Sequence, residues 1–164
     1  MKIYFSHGKE SGPKGSKIQK MSALAESMGF STFSVDYRGM TDPDKRVDKL
    51  TNLLNEEKED YILVGSSMGG YVSAVAAQKT KPKAMFLLAP AFFLSAYGVQ
   101  KYTSCPANTS IVHGWSDEII PFQHSIDYAS QFQVSLHLIV GDHRLTDSLD
   151  DILDIFRNFL PLFR

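Results

Sequence analysis

Gly65-x-Ser67-x-Gly69 is the stretch whose residue types and spacing could do chemistry. It follows Tyr61-Ile62-Leu63-Val64, an apolar run that reads as a buried strand, and leads into the small-residue helix Tyr71-Val72-Ser73-Ala74-Val75-Ala76-Ala77. A strand turning this sharply into a helix holds its serine in a strained conformation and lifts the hydroxyl above the sheet. Glycine is needed on both sides because the flanking backbones would collide with any Cβ. The helix N-terminus aims free N–H groups and its positive dipole end at the same spot, which favours a developing oxyanion. The chemistry in view is nucleophilic attack by Ser67.

A serine hydroxyl needs a neutral imidazole to take its proton, and that imidazole needs a carboxylate to fix its tautomer. In an open parallel sheet such groups stand just beyond the carboxyl ends of the strands. The polar residues in those places are His7, Asp36, Ser67, Asp117 and His143. His143, in the short loop Val140-Gly141-Asp142-His143-Arg144-Leu145, is the expected base. Asp117 is the expected acid, because Ser67, Asp117 and His143 follow the chain order of an elbow nucleophile. Asp142 is the rival, but sequence neighbours at a strand end point apart. Asp36 is expected to pair locally with Arg38. His124 is expected on a solvent-facing helix surface, His137 within a strand, and His113 shaping the backbone before Gly114, all in structural roles. If the first strand neighbours the elbow strand, the N–H of Lys9 in the loop after His7-Gly8 would join that of Met68 as an oxyanion hole. The glycine- and lysine-rich segment from Gly8 to Lys17 matches neither G-x-x-x-x-G-K-[ST] nor G-x-G-x-x-G, so nucleotide binding is not expected.

The elements that must position these groups alternate along the chain. Ile3 to Ser6 is a first strand. A helix follows, with Ser16 as N-cap, Ile18, Met21, Ala25 and Met28 on one face, and Gly29 as its stop. Ser31 to Val35 is the second strand. Asp42-Pro43 opens a helix as N-cap and first turn, with Val47, Leu50, Leu53 and Leu54 inward. After the elbow strand comes its helix, to about Thr80. Ala84 to Leu88 is the fourth strand, Ser110 to Gly114 the fifth, Pro121 to Phe132 a helix, Val134 to Val140 the sixth strand and Ser148 to Leu160 the last helix. Ala89 to Asn108 is the least regular stretch, broken by Pro90, Gly98 and Pro106. Strands alternating with amphipathic helices predict an α/β fold, a parallel sheet covered on both faces by right-handed crossovers.

Length and charge narrow the setting. The chain has 164 residues, enough for one domain with a real core, and a formal net charge of −1, which gives no basic footprint for nucleic acid or an anionic membrane. No apolar stretch approaches a membrane span, and Met1 to Phe5 runs into strand pattern rather than a signal peptide. Cys105 is the lone cysteine, so no intrachain disulfide forms and a reducing, cytoplasmic setting fits.

The sequence resembles the α/β-hydrolase superfamily, in particular its short, cap-poor bacterial esterase-like members. The likeness covers essentially the whole chain and rests on His7-Gly8, Asp36-x-Arg38-Gly39, Gly65-x-Ser67-x-Gly69-Gly70, His113-Gly114-x-x-Asp117-x-x-x-Pro121 and Gly141-Asp142-His143. It implies a minimal single-domain fold with six parallel strands in the order 2-1-3-4-5-6, lacking two N-terminal strands of the full fold and any lid domain. The site is then expected to be shallow. It further implies a serine hydrolase of small carboxylic esters or thioesters that works through an acyl-enzyme and needs no metal or cofactor. Phe92, Phe93 and Tyr97 are the expected walls of an acyl pocket. A catalytically idle scaffold of the same fold, or C–C or peptide hydrolysis by the same three residues, are the alternatives.

Overall fold

The computed structural model describes residues 1–163. Six strands and five helices alternate: β1 (Lys2–Ser6), α1 (Ser16–Ser27), β2 (Ser31–Val35), α2 (Pro43–Asn55), β3 (Tyr61–Ser66), α3 (Met68–Thr80), β4 (Ala84–Leu88), β5 (Thr109–Gly114), α4 (Phe122–Phe132), β6 (Ser135–Ile139) and α5 (Leu149–Phe159), with a 3-10 turn over Leu160–Phe163. The strands form one sheet in the order β2-β1-β3-β4-β5-β6, and every pair is parallel. This is the α/β-hydrolase arrangement.

Strand alternation divides the core in two. Tyr4, Leu63, Met85, Leu87 and Ile111 pack with Val47, Leu50, Tyr71, Val72 and Tyr128 of α2, α3 and α4. Ile3, Phe5, Ile62, Val64, Phe86 and Val112 point the other way, onto Ile18 and Met21 of α1 and Ile152 and Phe156 of α5. Because successive side chains of a strand face opposite sides, a one-residue slip would invert both sets, and the burial of both faces fixes the register. In that register Ser6 lies opposite Gly65, Ser66 opposite Leu88, and Gly114 opposite Ile139. The loops after β1, β3, β5 and β6 therefore emerge along one edge.

Several boundaries differ from the sequence expectation. Gly15, not Ser16, occupies the N-cap of α1, and no side chain caps it; the Gly15 N–H is instead bonded to Gly12 O at 3.1 Å, closing the turn ahead of the helix. Met28 is the C-cap and still packs, partly buried, against the core with Ile18, Met21 and Ala25; Gly29 follows at φ +89°, the left-handed position that stops the helix. Asp42 caps α2 as expected, accepting from the N–H groups of Asp44 (2.9 Å) and Lys45 (3.3 Å). Its buried face includes Arg46 beside Val47, Leu50 and Leu54. Among the described residues, no helix is long and apolar enough to cross a membrane.

Candidate active site

Ser67 sits between β3 and α3 at φ 55°, ψ −119°, a conformation that L-residues seldom adopt. Its backbone is pinned on all sides. The N–H donates to Leu88 O at 2.9 Å, and the carbonyl accepts from Gly70 N (2.9 Å), Ala91 N (3.0 Å) and Tyr71 N (3.3 Å). The glycines permit this closeness. A Cβ on Gly65 would stand 2.7 Å from Ser73 Oγ, and one on Gly69 would strike Ser6 O and approach His7 O to 2.8 Å. Helix α3 is buried along its first ten residues, which its alanines and glycines allow.

His143 Nε2 lies 2.9 Å from Ser67 Oγ, and its Nδ1 lies 2.7 Å from Asp117 Oδ2. The carboxylate fixes the proton on Nδ1 and leaves the Nε2 lone pair facing the serine hydroxyl. Asp117 is held in turn. Its Oδ1 accepts from the N–H groups of Ile119 (2.9 Å) and Ile120 (2.8 Å), and its Oδ2 also faces His113 Nε2 at 2.9 Å. Burial alone would raise the Asp117 carboxyl, but hydrogen bonds from His113, His143, Ile120 and Ile119 hold it well below the ordinary carboxylate range.

The rival aspartates are engaged elsewhere. Asp142 Oδ1 accepts from Leu145 N at 2.8 Å, bracing the loop that carries His143. Asp36 pairs with Arg38 at 2.6 Å. His113 is not merely a turn residue. It is fully buried, with Nε2 facing both Asp117 Oδ2 and Ile120 O (3.1 Å), two acceptors that demand an N–H there. Its Nδ1 meets Ser125 Oγ at 2.7 Å. The sequence offers one signal for this role, a histidine four residues before the aspartate at a strand end. His124 is half-buried against Phe93 rather than solvent-facing, their rings 5.8 Å apart and perpendicular.

The loop after β1 crosses in front of the elbow. Gly8 has room for a Cβ only 3.5 Å from Ser67 Cβ, so its backbone abuts the serine. His7 is buried and bridges two segments. Its Nδ1–H donates to Gly8 O at 2.7 Å, and its Nε2 accepts the N–H of Tyr37 at 3.0 Å. Burial lowers its pKa, against the pull of the Gly8 carbonyl, which keeps this ring neutral. Met68 opens α3, and the N–H groups of a helix's first turn have no acceptor within it.

A cavity of about 1050 Å³ opens onto Ser67 and His143. Lys9 and Glu10 line one rim, Ile119, Ile120, Leu94 and Tyr97 another. Lys17, Ile18, Met21, Val64 and Leu149 line it as well. Two expected wall residues are not among those lining it. Phe92 is fully buried, stacked on Tyr128 with ring centroids 4.1 Å apart, and Phe93 packs edge-on against Tyr102 at 5.5 Å. Both serve the core under α4; only Tyr97 of the three faces the cavity. Lys17, which the sequence did not single out, donates Nζ–H to Arg144 O at 2.5 Å and so ties α1 to the histidine loop.

Fold and edge geometry define a member of the α/β-hydrolase superfamily. The chain belongs to the uncharacterised protein family UPF0227, whose model matches residues 1–101. A member of the alpha/beta hydrolase superfamily from Xanthomonas campestris is similar over 99% of both chains, with 26% identity and a TM-score of 0.90. Est1E from Butyrivibrio proteoclasticus shares the fold at 18% identity and a TM-score of 0.80, over 97% of this chain and 86% of that one. A lidless α/β serine hydrolase, also from Xanthomonas campestris, shares it at 18% identity and a TM-score of 0.79, over 98% and 82%. No curated protein gives a significant match.

Proposed function

We propose that the protein is a serine hydrolase of small carboxylic esters or thioesters. The observation that carries this reading is the continuous chain from Ser67 Oγ through His143 to Asp117, with spacings of 2.9 Å and 2.7 Å. Ser67 Oγ attacks the acyl carbon while His143 Nε2 takes the hydroxyl proton. The C–O or C–S bond breaks, and the departing alcohol or thiol receives that proton from Nε2. Water then gives a proton to His143 and attacks the acyl–Ser67 ester, which releases the acid and restores the hydroxyl. Asp117 stays ionised and stabilises the imidazolium at each half-reaction. The N–H groups of Met68 and Lys9 receive the negative charge that develops on the carbonyl oxygen.

Apolar walls at Ile18, Met21 and Leu149 on one side, and at Leu94 and Ile119 on the other, favour an acyl group and a leaving group of modest size. Turnover of a panel of esters, thioesters and aminoacyl arylamides by the wild type and by Ser67→Ala tests the reading. Ester or thioester hydrolysis that disappears in the variant supports it. Hydrolysis that persists at even a tenth of the wild-type rate would remove Ser67 from the mechanism.

A further inference from the structure

Arg46 has no evident business inside a core. Its side chain is 2% exposed, on the buried face of α2, and among the described residues no carboxylate pairs with it. A buried guanidinium without a counter-ion is costly unless its N–H groups are well used. All the acceptors it meets are carbonyls: Nε donates to Met40 O at 2.7 Å, and Nη1 lies 3.2 Å from both His7 O and Gly8 O. Its face lies against the Tyr37 ring, 5.2 Å from the centroid.

The Gly8 carbonyl thus receives two donors, Arg46 Nη1 and His7 Nδ1, the second at 2.7 Å. That carbonyl belongs to the same peptide as the Lys9 N–H. No peptide in the described chain is cis, and in a trans peptide C=O and N–H point in opposite directions within one plane. Fixing the oxygen toward Arg46 therefore fixes the N–H away from it, on the side where Lys9 lines the cavity with Ser67 and His143. A cation on the oxygen also draws electron density from the amide, which makes its N–H a stronger donor.

We infer that Arg46 is a positioning residue for the oxyanion hole, holding the Gly8–Lys9 peptide by its carbonyl so that the Lys9 N–H is aimed and polarised toward the oxyanion. The inference rests on the serine-hydrolase reading above. A donor that acts only on developing charge contributes to kcat and hardly to KM. Among the described residues Arg46 bonds only to Met40 O, His7 O and Gly8 O and touches neither His143 nor Asp117, so the pH midpoint of the reaction should not move.

The test is the rate of fluorophosphonate labelling of the full chain as a function of pH, with thermal melting, for the wild type, Arg46→Met and Arg46→Lys. Arg46→Met is expected to lower the high-pH plateau by about tenfold to a hundredfold, the scale of a weakened oxyanion donor, with the pH midpoint unchanged. Arg46→Lys, which keeps the charge but not the fork, should fall between. On any ester that turns over, kcat should fall with KM retained. A plateau within about twofold of wild type in a folded Arg46→Met protein overturns the inference, as does a loss accompanied by a shifted midpoint. If Arg46→Met does not fold, Arg46→Lys decides, a wild-type plateau overturning the inference and a several-fold loss at constant midpoint supporting it. Failure of the wild type to label would instead sink the hydrolase reading, and this one with it.

Discussion

His113 Nε2 lies 2.9 Å from Oδ2 of Asp117, the same carboxylate oxygen that faces His143. Two imidazoles thus share one acceptor, one buried and braced by Ser125, the other at the cavity. His113→Phe would leave Ser125 Oγ and Ile120 O without this partner and let the carboxylate turn. It should lower kcat about tenfold and cost roughly 1–3 kcal/mol of stability. Asp117→Asn should keep the fold yet lose on the order of 10⁴ in kcat, because an amide favours the wrong imidazole tautomer. Asp142→Asn should lose less than tenfold, its role being the Leu145 turn. Steady-state kinetics on the three variants checks the ranking; Asp142 costing more than Asp117 would move the acid role to Asp142.

The backbone at Ser67 stores strain that glycine would not feel, since φ 55°, ψ −119° suits a residue without Cβ. Ser67→Gly should therefore stabilise by about 1 kcal/mol after allowing for the more flexible unfolded chain, a melting rise of about 2–4 °C, while abolishing turnover. Ser67→Ala should melt near wild type and be equally inactive. A destabilised Ser67→Gly protein would mean that the elbow is relaxed.

How much was legible in the sequence follows from what each signal depends on. The elbow is a local steric pattern: Gly65 and Gly69 are where side chains cannot fit, and those collisions come from adjacent segments whose order is set by the strand–helix alternation. Sheet order and the two-faced core followed from that alternation and the superfamily resemblance. Arg46 was illegible because an arginine beside Val47 in a helix reads as a solvated neighbour of the apolar stripe. Two of the three carbonyls it satisfies, those of His7 and Gly8, belong to a loop 39 and 38 residues away. Between Ala89 and Asn108 no periodicity tells which aromatic turns inward, and positive φ at Ala89 and Phe93 redirects the chain there.

Phe92 and Tyr97 should consequently separate under mutation. Phe92→Ala removes a fully buried ring stacked on Tyr128 and should cost about 3–5 kcal/mol, with ester selectivity unchanged in whatever protein folds. Tyr97→Ala opens the cavity wall and should raise KM about fivefold to tenfold with a much smaller loss in melting temperature. Denaturant unfolding beside KM measurements distinguishes them; an altered selectivity in Phe92→Ala would return that ring to the site.

Burial lowers the Lys17 ammonium to about 8, against the pull of Asp142 and Asp117, from 10.5 for a free lysine. Between those values the unfolded chain binds the proton that the folded chain releases, so this residue's contribution to stability rises as pH climbs from 8 toward 10.5. Below pH 8 the buried charge is a cost. Lys17→Met removes that cost together with the Arg144 tether. Its melting temperature relative to wild type should then fall by several degrees between roughly pH 7 and pH 10. A difference that does not change with pH would show that Lys17 titrates as a solvated lysine.

The central claim, that Ser67 is a nucleophile activated by His143, is tested most directly by mapping a fluorophosphonate adduct on the intact protein by mass spectrometry. A serine hydroxyl without a base is too weak to react, so the other serines should remain unmodified. One adduct is expected, on Ser67, forming faster as pH rises. His143→Ala should slow it by orders of magnitude, while His124→Ala and His137→Ala leave it unchanged. A folded wild-type protein that takes no label, or takes it on any serine other than Ser67, would contradict the account.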